Sequence, residues 1–197
     1  MQQDMGRRSN RERSDATRTA LVEAGRRLFV EKSYAETSTP DLVAEAGLTR
    51  GALYHHFADK KALFRAVVEA ESAAVAREIE TAAPVGLIPL EALKKGGEAF
   101  LAAMREPGRT RLLLLDGPAV LGREAMDEID GAHAGRTLRE GLQAAMEAGA
   151  IRNLTVVPLA ALLGAAYDRA ALSIEAGGSV GEYAMLLSAL IEGLSTP

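Results

Sequence analysis

Three observations predict an all-α fold. Ala, Leu, Glu and Arg recur throughout the 197-residue chain while aromatic residues make up only 4% of it, a balance that favours helices over strands. Apolar side chains repeat at three- and four-residue intervals in one segment after another. Stretches rich in Pro and Gly separate those segments and divide the chain into about nine helices.

Composition narrows the function classes. Hydrophobic residues amount to 48%, enough for a real core. No apolar run approaches the ~20 residues of a membrane span. The opening MQQDMGRRSNRERSD is charged and lacks the apolar region of a secretory signal. With no cysteine there is no disulfide, thiolate nucleophile or cysteine zinc site, and the chain reads as cytoplasmic. The net charge of −4 is unevenly spread: residues 1–65 hold 12 Lys/Arg against 9 Asp/Glu, and residues 66–197 hold 11 against 18. A basic front and an acidic back suit a nucleic-acid-facing N-terminal part joined to a body with another task.

In chain order, residues 1–13 form a basic flexible arm carrying Arg7, Arg8, Arg11 and Arg13. It reads either as a solvated tail or as an arm that follows phosphates or enters a minor groove. From Asp15 to about Lys32, Ala20, Leu21, Ala24, Leu28 and Phe29 define a first helix, capped by Ser14 or Asp15. Arg18 near its start is in reach of a phosphate if that end faces DNA. A second helix opens at Thr39 as cap, with Pro40 at the first helical position and Asp41 complementing the positive helix end. Leu42, Val43 and Ala46 form its buried side, and Gly47 supplies the left-handed residue that stops it.

Thr49 caps a third helix running to Phe57, too short to stand alone. Leu53 and Phe57, four apart, are its anchors, which leaves Arg50, Tyr54 and either His55 or His56 outward. Gly51 costs ~1 kcal/mol relative to Ala inside a helix, and close approach of its backbone to another surface such as DNA accounts for that cost. Adjacent His55 and His56 point about 100° apart with no third ligand nearby, so no metal site is read there. Two short helices and a tight turn make a helix-turn-helix, whose second helix can lie in a major groove. Asp59, Lys60 and Lys61 then open a longer helix with Leu63, Phe64, Val67 and Val68 on one face.

The run TSTPDLVAEAGLTRGALYHHFADKKALF, from Thr37 to Phe64, resembles the DNA-binding signature of the tetracycline-repressor (TetR) family of bacterial transcriptional regulators. Its specific pieces are Ala46-Gly47-Leu48, then Gly51 through Phe57, then Lys60 ahead of Ala62-Leu63-Phe64, and the likeness covers about residues 14–75. The resemblance implies an all-helical subunit with a three-helix helix-turn-helix domain at 14–70 and a ligand-binding and dimerisation domain at 71–197. It implies a repressor without catalytic residues, metal or cofactor, a homodimer on the palindromic operator of double-stranded DNA, released by a small, largely apolar effector. At the matching positions, Ser38 and Thr39 meet the DNA backbone, and Thr49, Arg50, Gly51 and Ala52 form the groove-facing start of the third helix. Tyr54, His56 and Lys60 correspond to phosphate contacts, and His55 to a groove or backbone contact. Pro40 stands where some members carry a longer base-reading side chain. That leaves Arg50 as the main reader, able to donate twice to guanine O6 and N7.

Beyond the Pro/Gly-rich interruption at 81–89, Leu90 to Arg105 reads as a helix with Leu93, Phe100, Leu101 and Met104 inward. Pro107-Gly108 breaks it. Arg109 to Leu115 forms a short apolar helix ended by Asp116-Gly117-Pro118, and Gly122 to Ala148 forms one long helix. Two final segments carry the stripes Leu159, Leu162, Leu163, Ala166, Ala170 and Tyr183, Leu186, Leu187, Leu190, Ile191, Leu194, a hairpin turning at Gly177-Gly178. They offer more apolar face than one partner needs, and by resemblance they form the dimer interface with their copies. The middle helices are the default ligand cavity, with Phe100, Met104, Asp116, Met126, His133 and Tyr167 as candidate lining and Asp168 or Arg169 as further polar handles. Each of the six reads more simply as ordinary core or as a lone satisfied side chain, and Asp168 and Arg169 equally as an interface pair. An activator or a ligand-independent regulator remains an alternative. A helical enzyme or carrier finds no paired Glu-x-x-His, nucleophile elbow or phosphate loop.

Overall fold

The computed structural model describes residues 2–84 and 86–196, with side chains from Asn10 onward. Among them the architecture is all-α, and extended pairing is limited to one antiparallel bridge, Ile151 with Ser195. Helix α1 runs Gln2–Glu36. The segment expected as a separate arm is therefore continuous with the first helix. It contains no Pro, and adding residues to an existing helix avoids the cost of nucleation. The regular part of α1 breaks at Ser33 (φ 78°, ψ 165°). The buried Thr37 hydroxyl secures that break by donating to the carbonyls of Ser33 (2.7 Å) and Leu28 (3.3 Å).

Helices α2 (Thr39–Glu45) and α3 (Arg50–His56) follow, then α4 (Lys60–Ala82). The cap of α2 is Ser38, not Thr39. The Ser38 Oγ accepts from the Asp41 N–H at 3.3 Å, and an Asp41 carboxylate oxygen accepts from the Ser38 N–H at 3.1 Å and its hydroxyl at 2.8 Å. This reciprocal box satisfies free helix-end donors, so Asp41 does more than complement the dipole. Gly47 takes the expected left-handed turn (φ 66°), and the Thr49 hydroxyl accepts from the Ala52 N–H at 3.2 Å. Leu53 and Phe57 anchor α3 among Leu21, Leu42, Leu63 and Phe64, all at 5% exposure or less. Phe29 meets Phe64 edge to face at 5.1 Å. Full burial of each such side chain is worth roughly 1.5–3 kcal/mol, which holds three short elements as one body.

The C-terminal body comprises α5 (Pro89–Ala103), α6 (Arg109–Arg111), a π-helical turn (Leu112–Asp116), α7 (Gly117–Leu121), α8 (Arg123–Ala132), α9 (Ala134–Glu147), α10 (Val156–Glu175) and α11 (Val180–Glu192). Asp116-Gly117-Pro118 does not end the apolar helix as expected. The π turn, in which the Gly117 N–H reaches the Leu112 carbonyl, carries the chain into α7 with Pro118 in its first turn, where no donor is needed. The expected long helix 122–148 divides at His133 (φ −126°, ψ −105°). There an Asp130 carboxylate oxygen accepts from the Gly135 N–H at 3.1 Å and restarts the helix as α9.

Two apolar clusters form the interior. One joins α1–α4 to Met104, Leu112, Leu113 and Ile129; the other packs α5, α9, α10 and α11 around Leu101, Leu142, Leu163, Tyr167 and Ile191. Phe100 touches both. The first cluster therefore runs through α4 past residue 70, without a gap at the sequence-drawn boundary. α10 is long and apolar enough in mean composition to pass for a membrane span, but Asp168 and Arg169 interrupt its apolar run and Leu163, Tyr167, Ala170 and Ala171 bury one side of it in the protein core.

Charge is buried at the seam between the bodies. Glu71 on α4, 7% exposed, accepts from Arg26 of α1 at 2.9 Å and from Arg109 of α6 at 2.9 Å. Burial opposes ionisation of Glu71, but hydrogen bonds from Arg26 and Arg109 overcome it and hold the carboxyl below its ordinary value. Arg109 also donates to Glu78 at 2.9 Å and to the Ala103 carbonyl at 2.7 Å. Glu71→Ala leaves the buried Arg109 with only the half-exposed Glu78 as counter-charge and its Nε without an acceptor, and should lower unfolding free energy in urea by roughly 2–4 kcal/mol. Glu69→Ala, which removes only the part-exposed pair with Arg65, should cost about 1 kcal/mol or less in the same assay.

Candidate nucleic-acid interface

Helix α3 displays its residues as its anchors dictate. With Leu53 and Phe57 inward, Thr49, Arg50, Gly51, Tyr54 and His55 are exposed, and Ala52 and His56 are half-buried. The Arg50 guanidinium lies 5.4 Å from the Tyr54 ring centre and donates to the Tyr54 hydroxyl at 3.5 Å. The hydrogen bond from Arg50, followed by one with Thr39, holds the Tyr54 phenol below its ordinary pKa. An arginine stacked on a ring is held extended and loses less freedom when its fork engages an acceptor. The His55 and His56 rings stand edge to face at 5.1 Å, and no metal-holding group of three His, Asp or Glu occurs among the described residues.

Ser38 and Thr39 lie at the start of α2, beside this face, with Ser38 exposed and Thr39 half-buried. The Ser38 hydroxyl is engaged in its cap. Arg18, exposed on α1, stacks over Phe57 at 5.3 Å and widens the basic margin. Lys60 sits differently from its sequence reading as a phosphate contact. Its ammonium donates to the carbonyls of Tyr34 and Thr37, both at 2.8 Å, and lies 4.3 Å from the Tyr34 ring centre. Two of its three donors fasten α4 to the end of α1, and one remains. Nothing in the sequence signalled this clamp, because Tyr34 and Lys60 meet only in the folded chain.

Gly51 has open space around it: a Cβ there would meet only the Thr49 hydroxyl oxygen, at 3.8 Å. No contact inside the protein requires glycine at this position.

The candidate ligand residues do not converge on one cavity. Phe100 and Tyr167 meet edge to face at 5.7 Å. The Tyr167 hydroxyl lies against Gly97, and burial, then Glu98, push its pKa up to about 12. Asp116 is tied to Arg111 at 3.1 Å, Met126 covers Gly117, and His133 is the α8–α9 joint. A hollow of about 270 Å³ lies instead between the α5–α6 turn and the end of α10. Of the six candidates only Met104 borders it; Leu101, Thr110, Ala171 and Ile174 complete its inner wall. Those residues come from segments some 70 positions apart, which periodicity cannot connect.

The comparisons with known proteins bear on both bodies. Residues 21–67 match the family model described as bacterial regulatory proteins, tetR family, and residues 90–194 match that of the tetracyclin repressor-like C-terminal domain. The chain belongs to the TetR family. A TetR-family transcriptional regulator from Pectobacterium atrosepticum superposes with a TM-score of 0.73 at 30% identity, covering 95% of this chain and 98% of that one. The A-factor receptor protein of Streptomyces griseus is 30% identical over 99 residues, 50% of this chain and 34% of that protein. The transcriptional regulator TtgR of Pseudomonas putida is 37% identical over 62 residues, 32% of this chain and 30% of that protein. The chain thus spans about a third of the length of these curated relatives. As a TetR-family member it is a helix-turn-helix transcriptional regulator and not an enzyme.

Two expectations follow from this geometry. Gly51→Ala should raise unfolding free energy by about 0.5–1 kcal/mol while weakening retention on duplex DNA, because the new methyl group occupies only the outer surface. Equal or better DNA retention would show that the glycine serves no close approach. Burial, then the neighbouring Asp130, push the Asp168 carboxyl from 3.8 up to about 6. A folded acid with a raised pKa binds its proton more tightly than the unfolded chain does, so it costs stability as pH rises through about 4–6. Asp168→Asn should therefore gain ~1–2 kcal/mol at pH 7.5 and nothing at pH 4, measured by urea unfolding at both.

Proposed function

We propose that the chain is a repressor that binds a palindromic operator as a homodimer and is released by a small, largely apolar effector. The observation that carries the DNA reading is the exposed row Thr49, Arg50, Gly51, Tyr54 and His55 on a helix whose opposite side is fully anchored. Arg50 reads base edges in the major groove. Tyr54, His55, His56, the ends of Ser38 and Thr39, and the remaining donor of Lys60 hold phosphates and fix register. Thr49 and Ala52 flank the backbone at Gly51.

The division of labour in this reading is 14–70 as the DNA-binding domain and 71–197 as the effector and dimer domain, with α4 shared, since the apolar cluster of the first continues through α4 to Met104, Leu112 and Ile129. For the dimer, α10 and α11 leave a second apolar face in water. Val157, Leu162, Met185, Leu186 and Leu190 are 55–72% exposed while Leu163, Leu187 and Ile191 fill the core. An apolar surface of this kind marks an interaction site, and a second copy places two α3 helices in successive major grooves ~34–36 Å apart. That the Streptomyces griseus relative is called a receptor supports control by a ligand. An effector acts by preferring a conformer whose two α3 helices sit at the wrong spacing. Such a protein works in the cytoplasm, on nucleoid DNA.

Arg50→Ala tests the reading role. With a duplex enriched by this protein from a random pool, the variant should lose about 10–100-fold in affinity, the value of one bidentate base contact. Its binding to unrelated duplex should change by no more than about threefold, as a single phosphate contact would. Equal losses on both duplexes would contradict base reading by Arg50.

A further inference from the structure

We infer that Arg26, held by the Glu71 carboxylate that Arg109 also grips, is a positioning residue through which the α5–α6 turn and the DNA-binding body sense each other; this rests on the DNA-binding reading above. The argument begins with unequal bond lengths. Arg109 is locked, with donations of 2.9 Å to Glu71, 2.9 Å to Glu78 and 2.7 Å to the Ala103 carbonyl. Arg26 is firm on one side only. Its Nε donates to Glu71 at 2.9 Å, but one Nη2 is spread over Glu71 at 3.3 Å, the Pro107 carbonyl at 3.3 Å and Glu106 at 3.5 Å. All three lie beyond the best N–H···O range, so small shifts of the turn exchange one acceptor for another at low cost.

The turn is also built to move as a piece. Gly108 is left-handed (φ 78°) and sits so close to Val30 of α1 that a Cβ there would lie 2.5 Å from a valine methyl. The next segment returns to α1 a second time, where Arg111 donates to the Phe29 carbonyl at 2.6 Å. One face of the turn thus rests on α1 through Arg26, Val30 and Phe29. Its other face, Arg105, Glu106, Pro107 and Gly108, borders the hollow of about 270 Å³. A segment with a partner on one side and room on the other can take two positions, while a segment packed on both sides cannot. Glu71 stays buried and paired in either position, because Arg109 holds it whatever Arg26 does.

Coupling between two sites is reciprocal, so DNA can serve as the probe in place of an unidentified effector. Hydrogen exchange would be followed in the full-length protein, free and bound to a duplex enriched from a random pool. Binding of the duplex should change exchange across the turn itself, residues 105–108, by about fivefold or more, the lower end of ordinary coupling. Arg26→Gln keeps Glu71 paired with Arg109 and should bind the duplex within about threefold of the parent, as expected for a residue off the DNA face, while the turn no longer responds. Arg26→Lys, which keeps a charge on Glu71 but lacks the fork that reaches the Pro107 carbonyl, gives the same comparison should Arg26→Gln not fold. A purely structural role would lower stability without uncoupling the turn from the duplex. An unresponsive turn in the parent, or an undiminished response in the variant that folds, overturns the inference while leaving the DNA-binding reading intact. Failure of any duplex to be enriched overturns both.

Discussion

A seven-residue helix closes too few hydrogen bonds to exist alone, and everything the N-terminal body can do depends on burying one side of α3. Leu53 at 0% and Phe57 at 5% exposure sink into the cluster made by α1, α2 and α4, with Phe29 and Phe64 as its centre. Once those two side chains are fixed, the helical period decides the rest: Arg50, Tyr54 and His55 have nowhere to go but outward. The Thr49 cap and the left-handed Gly47 set where the helix starts and which way it leaves α2. Exposure of that row is thus a consequence of core packing and needs no further device.

The same logic, with charges in place of methyl groups, joins the two bodies. An apolar seam at α1, α4 and α6 would be stable and indifferent to small shifts. A carboxylate shared by two arginines is demanding, since every donor and acceptor must be matched in a site with little water. Glu71 meets that demand from the middle of α4, between a residue of the DNA-binding body and one of the C-terminal body. Lys60 repeats the pattern at the start of α4, tying it to the end of α1 through two carbonyls. α4 is thereby pinned at its start and at its middle, which suits a helix that belongs to both bodies.

The C-terminal hairpin divides its apolar residues between two duties. Along α11, Leu187 and Ile191 are buried while Leu186 and Leu190, one position earlier in each case, are exposed. One helix thus serves the core of its own chain on one face and presents a second face of equal apolarity to water. Val157 and Leu162 on α10 and Met185 on α11 extend that exposed apolar face across the hairpin.

By itself the sequence determined the helical class, the positions of α2, α3 and their turn, the anchors Leu53 and Phe57, and the outward row headed by Arg50. These are local consequences of period, capping and glycine, readable within a few residues. It misplaced the α2 cap by one residue, read a basic arm where α1 continues, ended a helix at Pro118 and missed the joint at His133. Each of those depends on a hydrogen bond or a helix extension that propensity does not encode. Only the tertiary structure decided that Lys60 spends two donors on carbonyls, that the six candidate ligand residues do not share a cavity, and that Glu71 binds Arg26 and Arg109. The physical reason is distance along the chain: those partners lie 23 to 45 positions apart, and burial makes the choice among them.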